Sequence, residues 1–524
     1  MPVLNMQTPG VYVDEISAFP NSVVPVPTAI PAFIGYTARA SYEGKSLHNT
    51  PTKISSMQEY LMMFGVVTPA TSTTPSSVAQ ASDQYKPQYH ISVAATAPGD
   101  VEIDGHSYNI TADNSTIYYL YSAMQLFFLN GGSNAYIVSV GEFGKAAGSA
   151  SKGDALINPN VQIADLEAGL KALAMAPEPT IVVSPDSMLL NAANNATYMQ
   201  QALAQCGKLK NRIALFDILG GDDPDHYMWH QKNIEPFRTN VGQQDLNYGA
   251  AYFPYLKTSV IQDNEIDFNT LGGAQALAKL PCFPKGSNAA TLLAQLAKPV
   301  PGGPPPHALD QALVGASSAY AQLRKAVLEK INTLPAASSL AGVYTAVDHT
   351  QGVWKAPANV SLDSVMGTTV AISNDQQADL NVDALTGKSI NAIRVFPGKG
   401  TLVWGARTLE GNSGDWRYTS VRRTMIMIEQ SLELALAEYV FAENDESTWA
   451  TIDAEVSNFL TGLWAQGALV GPTAAESFSV AVGLNKSMTA LDITNGKLII
   501  IVKVAINHPV EFIEIKISQE MQKG

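Results

Sequence analysis

Hydrophobic positions between residues 115 and 258 follow two alternating patterns. Apolar residues three and four apart, which mark one face of a helix, alternate with short continuous apolar runs, which mark buried strands. The segments are, in chain order, Ile117–Leu129 (helix), Ala135–Val140 (strand), Ile163–Ala174 (helix), Thr180–Ser184 (strand), Tyr198–Cys206 (helix) and Arg212–Leu219 (strand). This alternation is typical of helices packed on a parallel or mixed sheet. The sequence therefore predicts an α/β fold of the mixed α+β kind.

The segment before this region continues the pattern. Thr28–Ala40 predicts a buried strand, and Ser55–Phe64 predicts a short helix that Ser55 or Ser56 can cap. Alternating polar and apolar residues from Tyr89 to Ile110 predict a small antiparallel insertion that ends near Asp113. The core is therefore expected to begin well before residue 115.

A proline-rich stretch, KPVPGGPPPH at residues 298–307, interrupts an otherwise helical region. Proline removes a backbone donor and blocks the helix interior, so this stretch predicts a loop or hinge. A helix is expected to resume through Leu309–Ile331.

Both ends of the chain predict extended segments. Gly10–Ile16 has the pattern of a strand, and the prolines at positions 20, 25, 27 and 31 favour an extended connector after it. At about 3.1 Å per residue, Ala18–Pro31 can reach roughly 40 Å. At the other end, Leu498–Ala505 and Val510–Ile517 predict strands, whose backbone can pair with any sheet edge that they meet. The arms can therefore reach another molecule, although folding back onto their own domain explains the pattern equally well.

The segment Thr424–Phe441 predicts a helix with two apolar stripes. One stripe holds Met425, Ile428, Leu432, Leu436 and Tyr439, and the other holds Met427, Leu434 and Phe441. Such a helix must be covered on both sides, by a thick core or by a neighbouring molecule. Arginines at its start and glutamates towards its end oppose the helix dipole, so counter-charges are expected nearby.

Composition narrows the function. The chain has 524 residues, 46% hydrophobic and only 15% charged, and a formal net charge of -14. This acidic balance excludes nucleic acid as a partner, because phosphate binding needs dense lysine and arginine. The longest apolar run, Leu498–Ile506, is half the length of a bilayer span, so no membrane insertion is expected. Two cysteines and an N-terminus without a secretory pattern indicate a protein made in the cytoplasm.

An α/β enzyme, a hydrolase or an oxidoreductase, is the main alternative. Asp186 and Asp217 follow predicted strands, where open α/β sheets place their ligand sites. However, the chain has no dinucleotide fingerprint, phosphate loop or nucleophile elbow, so no cofactor is expected. His226 and His230 have helical spacing but lack the glutamate of a zinc protease motif, and no metal is expected. A receptor-binding or adhesive protein would show a secretion signal or β-rich repeats, and the sequence shows neither.

The segment LPAASSLAGVYTAVDHTQGVWKAPANVS, residues 334–361, resembles the signature segment of contractile tail sheath proteins. In that family a small-residue stretch leads to A-G-x-Y, an aspartate and then G-V-W-K-A-P-A-N. The resemblance continues in the family's order through Val403–Leu409, Trp416-Arg417-Tyr418, Val421-Arg422-Arg423, Trp449, Leu463-Trp464 and Gln466–Leu469. The segments Pro9–Glu15 and Pro509–Ile513 also resemble the two ends of the family's sequences.

The resemblance implies a multi-domain protein: a sheath-type core with helices on a mixed sheet, inserted outer domains and extended arms at both ends. The implied segments are an N-terminal arm and linker (1–35), the start of the core domain (36–84), a small β insertion (85–114), an α/β middle or outer domain (115–333), a C-terminal core domain facing an inner tube (334–505) and a C-terminal strand arm (506–524).

The implied function is structural. Subunits of this family polymerise helically around an inner tube and contract to drive it through a target envelope, with terminal arms exchanged between subunits as strands. By resemblance, the residues that link subunits are Val11, Tyr12, Val13, Phe512, Ile513 and Ile515. Those that contact the inner tube are Arg422, Arg423, Glu429 and Glu433.

The resemblance also implies the partners. They are copies of the same chain, the tube protein, baseplate and terminator proteins, and any paralogous sheath subunits. It implies assembly in a bacterial cytoplasm, followed by incorporation into a phage tail or release as a phage-tail-like particle.

Overall fold

A computed structural model describes residues 23–68, 77–95, 98–146, 148, 155–512 and 514. Its strands are β1 Pro31–Thr37, β2 Ser41–Tyr42, β3 Lys45–Ser46, β4 Thr52–Ile54, β5 Val67–Thr68, β6 Ser77–Val78, β7 Tyr89–Val93, β8 Val101–Ile103, β9 His106–Ala112, β10 Ala135–Glu142, β11 Ile181–Val183, β12 Ile213–Phe216, β13 Gly249–Phe253, β14 Leu256–Thr258, β15 Thr333–Leu334, β16 Val360–Ser361, β17 Val365–Thr368, β18 Asn391–Phe396, β19 Gly400–Val403, β20 Phe478–Val482 and β21 Ile500–Val504. Its α-helices are α1 Met57–Phe64, α2 Ala81–Gln84, α3 Leu120–Leu129, α4 Ile163–Leu173, α5 Ala192–Leu209, α6 Glu235–Asn240, α7 Ala274–Leu277, α8 Asn288–Ala297, α9 Pro306–Ala316, α10 Ser318–Ile331, α11 Ala337–Gln351, α12 Asn374–Asn381, α13 Thr419–Leu436, α14 Glu446–Ala465, α15 Ala474–Ser477 and α16 Ala490–Thr494.

The chain divides into two compact units. The larger unit comprises residues 27–426 and 508–524, and the smaller unit comprises residues 1–26 and 427–507. The predicted boundaries at 114/115 and 333/334 both lie inside the larger unit, because its main sheet takes strands from both sides of each. The compact units therefore divide the chain at different places from the predicted segments.

The main sheet of the larger unit has the strand order β16-β19-β18-β13-β12-β11-β1-β10-β4. The six strands from β18 to β10 run parallel to their neighbours, while β4, β19 and β16 pair antiparallel at the two edges. This mixed sheet with helices confirms the predicted α/β fold.

Both faces of the sheet are covered, as strand β1 shows. All seven of its residues are buried, which is typical of a parallel strand between helical layers. Neighbouring residues of a strand point to opposite faces. The Phe33 ring lies 5.2 Å from the ring of Phe127 on α3, whereas a Cβ at Gly169 on α4 would approach Ile34 Cγ2 to 2.6 Å. Helices α3 and α4 therefore pack on opposite faces.

Several local predictions are confirmed. Ser56 caps α1, because its side chain accepts a hydrogen bond from the Glu59 N–H. The predicted antiparallel segment is present as the sheet β7-β9-β8. The proline-rich stretch follows helix α8, which ends at Ala297, and its last two residues begin α9. The predicted continuous helix over Leu309–Ile331 is wrong in one respect: Ser317 has an extended backbone and caps α10, so two helices replace one.

A buried ion-pair network holds the helical part of the larger unit. The Arg324 guanidinium, on α10, donates to Asp310 Oδ2 on α9 at 2.6 Å and to Asp263 Oδ1 at 2.8 Å. The Tyr320 hydroxyl and the Phe268 N–H both donate to Asp310 Oδ1. Asp310 therefore ties two helices and the preceding loop together.

The smaller unit contains helix α14, which contacts strand β20, and a two-stranded antiparallel ribbon formed by β20 and β21. The side chain of Asp445 caps α14 by accepting from the Thr448 N–H. In the part of the chain that the structure describes, no helix is both long and apolar enough to cross a bilayer.

Candidate assembly interface

In the part of the chain that the structure describes, the outer edges of the β20–β21 ribbon pair with no further strand. Phe478 faces Val504, and the pairing runs to Val482 and Ile500. The Ala505 N–H donates to Ser477 O at 2.9 Å. Because antiparallel hydrogen bonds alternate along a pair of strands, residues 500, 502 and 504 turn their N–H and C=O groups away from β20. Among the described residues no third strand covers either edge, so the ribbon can accept another strand.

The open part of the β21 edge is bounded at both ends. Beyond β21, the Val470 N–H donates to Ala505 O at 2.8 Å, and Leu469 and Ile506 form an isolated bridge. Before β21, the Ser487 hydroxyl donates to Ile499 O at 2.6 Å. The free edge is therefore about five residues long, the length of a typical strand.

The structure places the predicted linking residues only in part. Phe512 is exposed and lies outside any strand, so the predicted strand over Val510–Ile517 does not form in residues 510–512. Ile513, Ile515 and the segment Val11, Tyr12 and Val13 lie outside the described residues. Strand exchange by these residues stays a prediction.

Glu511, next to Phe512, is fixed by a dense cluster of hydrogen bonds in the larger unit. Arg407 Nε and Nη2 donate to its two carboxylate oxygens at 2.9 and 2.5 Å. Asn381 Nδ2 donates at 2.8 Å and the Tyr418 hydroxyl at 3.0 Å. Burial raises the pKa of Glu511, but these hydrogen bonds outweigh it and the net pKa is lowered. Glu511 is therefore held as a carboxylate.

The two arginines predicted to contact a tube are buried. The Arg422 guanidinium stacks over the rings of Trp416 and Tyr248, 4.4 and 4.8 Å from their centroids. Arg423 pairs with Asp348, with Nη1 at 2.9 Å from Oδ1, and both side chains are about 95% buried or more. In this subunit both guanidinium groups thus face partners of their own chain. The expected counter-charge is present for Arg423, and tube contact by either arginine stays a prediction that burial disfavours.

The other two predicted contacts lie in the smaller unit, near exposed apolar side chains. Glu433 is exposed and accepts a hydrogen bond from Gln430, while Glu429 is half-buried. The helix α13 ends at Leu436, earlier than predicted, and of the second apolar stripe Leu434 and Phe441 are exposed. Residues 427–507 carry ten acidic and three basic side chains. A protein that binds the acidic, partly apolar surface of the smaller unit would therefore need basic and apolar side chains.

The two aspartates that suggested an enzyme hold the backbone instead. Asp186 accepts hydrogen bonds from the N–H groups of Tyr36 at 2.7 Å and Tyr119 at 2.6 Å. Asp217 Oδ1 accepts from the N–H groups of Ala336 and Ala337, at the start of α11. Both carboxyl groups are buried, so each replaces missing secondary-structure hydrogen bonds. Within the described residues no group of three His, Cys, Asp or Glu side chains could hold a metal ion.

Burial gives Asp217 a testable pH signature. Burial raises its pKa to about 7, against roughly 3.9 in an unfolded chain. The folded protein then binds more protons than the unfolded chain between these values. Asp217 should therefore add about 2 kcal/mol to the free energy of unfolding as the pH falls from 8 to 5.5.

Urea denaturation of Asp217→Asn checks this expectation. The amide keeps an oxygen for the two N–H donors but does not titrate in this range, so the rise should shrink by about 2 kcal/mol. Asp186→Asn is the companion variant, because burial raises the pKa of Asp186 to about 6. An unchanged pH dependence in Asp217→Asn would contradict the assignment.

The chain is similar to known proteins in both sequence and fold. A family profile described as the phage tail sheath C-terminal domain matches residues 412–520. A structure of the anti-feeding prophage helical sheath in its contracted state aligns over 98% of this chain and 99% of its own, with 26% identity and a TM-score of 0.56. The match covers the larger and the smaller units alike.

The chain is therefore similar to a contractile sheath protein over nearly its whole length. A sheath of the extracellular contractile injection system PVC, also contracted, has the same fold, with 22% identity, a TM-score of 0.58 and 98% coverage of both chains. The tail sheath protein of Burkholderia phage BcepMu is 30% identical over 142 residues, and that of Vibrio phage KVP40 is 25% identical over 130 residues. These two alignments span 26% and 25% of this chain, and 29% and 19% of the phage proteins.

The segment that resembles the sheath signature has a clear structural role. Helix α11 is buried from Ala337 to Thr345, and the Tyr344 hydroxyl lies 2.9 Å from that of Tyr252 on β13. Gly352 ends the helix with φ +94°, where a Cβ would lie 2.4 Å from the Trp354 ring. Asn359, with φ +57°, then leads into β16. The motif therefore connects a core helix to the sheet edge through a turn that demands particular residues.

Sequence reasoning missed the partners of Glu511. Its Pro-x-Glu-Phe-Ile motif was visible as a family resemblance. Arg407 lies 104 residues away, however, and no local pattern links the two.

Proposed function

We propose that this sheath protein polymerises helically around an inner tube and contracts to drive the tube through a target envelope. The observation that carries the proposal is the alignment over nearly the whole chain with a helical sheath in its contracted state. The ribbon edges, which no third strand covers among the described residues, support it, because they offer a site for linking one subunit to the next.

Subunits are linked by exchanged strands in this proposal. The N-terminal segment Gly10–Ile16 and the C-terminal segment Val510–Ile517 add to ribbon edges of neighbouring subunits, through Val11, Tyr12, Val13, Phe512, Ile513 and Ile515. Each added strand of about five residues gives the ribbon the backbone partners that it lacks within the described residues. A sheet of three or more strands is also far more stable than an isolated pair.

Contraction is powered by subunit contacts in this proposal. Two helical packings of the same subunits differ in free energy, and a trigger at one end releases the less stable packing. Rigid units move while the linking strands stay paired. No nucleotide takes part, and we propose that the protein is not an enzyme, since Asp186 and Asp217 serve the backbone.

The proposed partners are copies of this chain, an inner tube protein, and baseplate and terminator proteins, with paralogous sheath subunits where they exist. Similarity to a subunit from an anti-feeding prophage baseplate structure, at 26% identity, supports baseplate association. Glu429 and Glu433, beside exposed Leu434 and Phe441, form the proposed tube-contacting surface. Assembly takes place in the bacterial cytoplasm, and the product is part of a phage tail or a phage-tail-like particle.

Negative-stain electron microscopy tests the proposed function. The purified full-length chain should form hollow, ridged cylinders under assembly-permissive conditions, and dispersed monomers would count against the proposal. Co-expression with an inner tube protein should yield filled cylinders. Glu433→Lys, which reverses one charge of the tube-contacting surface, should then reduce the filled fraction while empty cylinders still form.

A further inference from the structure

Thr28, at the N-terminal end of the larger unit, contacts a buried ion pair. Thr28 Oγ1 donates to Asp348 Oδ2 at 2.5 Å, and Arg423 Nη2 donates to Thr28 O at 3.3 Å. Arg423 and Asp348 also bind each other through two hydrogen bonds. Two residues later, the Ile30 N–H donates to Thr180 Oγ1. These two residues of the proline-rich connector are thus fixed to the larger unit. Before them, in the smaller unit, the Val26 N–H donates to Ser431 Oγ at 3.0 Å.

The C-terminal arm is held in the larger unit in a similar way. Glu511 binds Arg407 through two hydrogen bonds and also accepts from Asn381 and Tyr418. Arg407 is 3% exposed and also donates to Asn381 O at 2.8 Å. The neighbouring side chains of Val510 and Phe512 are 79% and 74% exposed. The Glu511 side chain is therefore held by hydrogen bonds, while the side chains directly before and after it in the chain are exposed.

We propose that these two clusters are anchors: Arg423–Asp348 fixes the root of the N-terminal arm, and Arg407–Glu511 fixes the root of the C-terminal arm. The residues are positioning residues for linkage between subunits. The proposal rests on strand exchange as the proposed function, and it adds the groups that make the exchange efficient.

The physical reason is preorganisation. An arm with a loose root samples many directions, and pairing with a neighbour then costs the conformational entropy of every loose residue. A fixed root restricts the arm to a small volume and raises its effective concentration at the neighbouring ribbon edge. A fixed root also transmits force from the arm to the main sheet of the larger unit while subunits move.

The anchor explains the burial of Arg423 better than tube contact does. A tube-contacting arginine would need its guanidinium at the surface, whereas that of Arg423 binds Asp348 and also lies 4.7 Å from the Tyr344 ring centroid. The two roles predict different defects. Loss of an anchor impairs assembly without any tube, and loss of a tube contact does not.

The experiment compares Glu511→Gln with Asp310→Asn in the full-length chain. Both substitutions turn a carboxylate into an amide beside an arginine and a tyrosine hydroxyl of the larger unit, but Asp310 lies away from both arm roots. Hydrogen–deuterium exchange of residues 508–514 is measured in the monomer, and sheath yield is measured by sedimentation and electron microscopy.

Glu511→Gln should speed amide exchange at residues 508–514 about tenfold and cut sheath yield per folded monomer about tenfold. Asp310→Asn should lower the melting temperature at least as much and leave both quantities near wild type. Tyr418→Phe removes only one hydrogen bond to Glu511 and should give a smaller effect of the same kind, which keeps the test decisive if Glu511→Gln folds poorly. Asp348→Asn should act likewise on residues 27–30.

Wild-type exchange and yield in Glu511→Gln would overturn the anchor, as would an equal loss of assembly in Asp310→Asn. If a chain without its N-terminal strand still assembles normally, strand exchange itself fails. In that case the hydrogen–deuterium exchange rates of residues 508–514 in the monomer still test whether Arg407 fixes the start of the C-terminal arm.

Discussion

A chain lacking residues 1–18 is expected to be a folded, soluble monomer that forms no sheath tubes. The deletion removes the strand-like segment Gly10–Ile16, while the buried core of the described chain begins at Val23. The folded units therefore keep their cores. The ribbon β20–β21 of each neighbouring subunit, however, would lose the strand proposed to pair with it.

The effect should be close to all-or-none, because each subunit of a helical assembly makes the same contact and a weakened contact is repeated along the whole polymer. Circular dichroism and analytical ultracentrifugation check the monomer, and electron microscopy counts tubes. A matched control deletes residues 1–8 only, so that it keeps Gly10–Ile16. Tubes of normal length and number from the longer deletion would contradict strand exchange by the N-terminal arm.

Arg324→Met is expected to destabilise the larger unit by about 3–5 kcal/mol, the largest stability effect that we predict for a single side chain. Removing one partner of a buried ion pair leaves the other charge without compensation. Here Asp310 would remain buried, with only the Tyr320 hydroxyl and one backbone N–H to stabilise its charge. Asp263 adds less, because its side chain is 65% exposed and water screens the pair.

A double-mutant cycle with Asp310→Asn isolates the pair. The double variant should lose less stability than the sum of the single variants, because neither charge is then left alone. Urea or thermal denaturation gives the free energies of unfolding. A loss below about 1 kcal/mol in Arg324→Met would mean that the network is solvated and contributes as little as a surface pair.

Local features of this protein were readable from the sequence because they depend on residues close together in the chain. The cap at Ser56 needs only the N–H of Glu59, and the strand β1 needs only an apolar run without polar interruption. The proline-rich loop before α9 likewise follows from backbone chemistry alone. Even so, the break at Ser317 was missed, because the apolar spacing continues across it while the backbone does not.

The candidate interface was only partly predictable. The sequence indicated the strand β21 and the extended arms, but it gave no sign that β20 would be its only partner within the described residues. The prediction for Arg422 and Arg423 relied on the charge of a helix segment. The charge of a segment does not determine whether a guanidinium group contacts solvent, an aromatic ring or a carboxylate of the same chain.

The α/β class, most element positions and the segment that resembles the sheath signature could be read from the sequence alone. All of these follow from spacing, caps and backbone restrictions, which act over a few residues. The boundaries of the compact units depend on the tertiary structure. Strands β18 and β19, which follow residue 334 in the chain, join the main sheet beside β13. The tertiary structure also decided that Arg423 meets Asp348 and that Arg407 meets Glu511, across 75 and 104 residues. Such pairs depend on which segments the folded sheet brings together, and no periodicity in the chain encodes that.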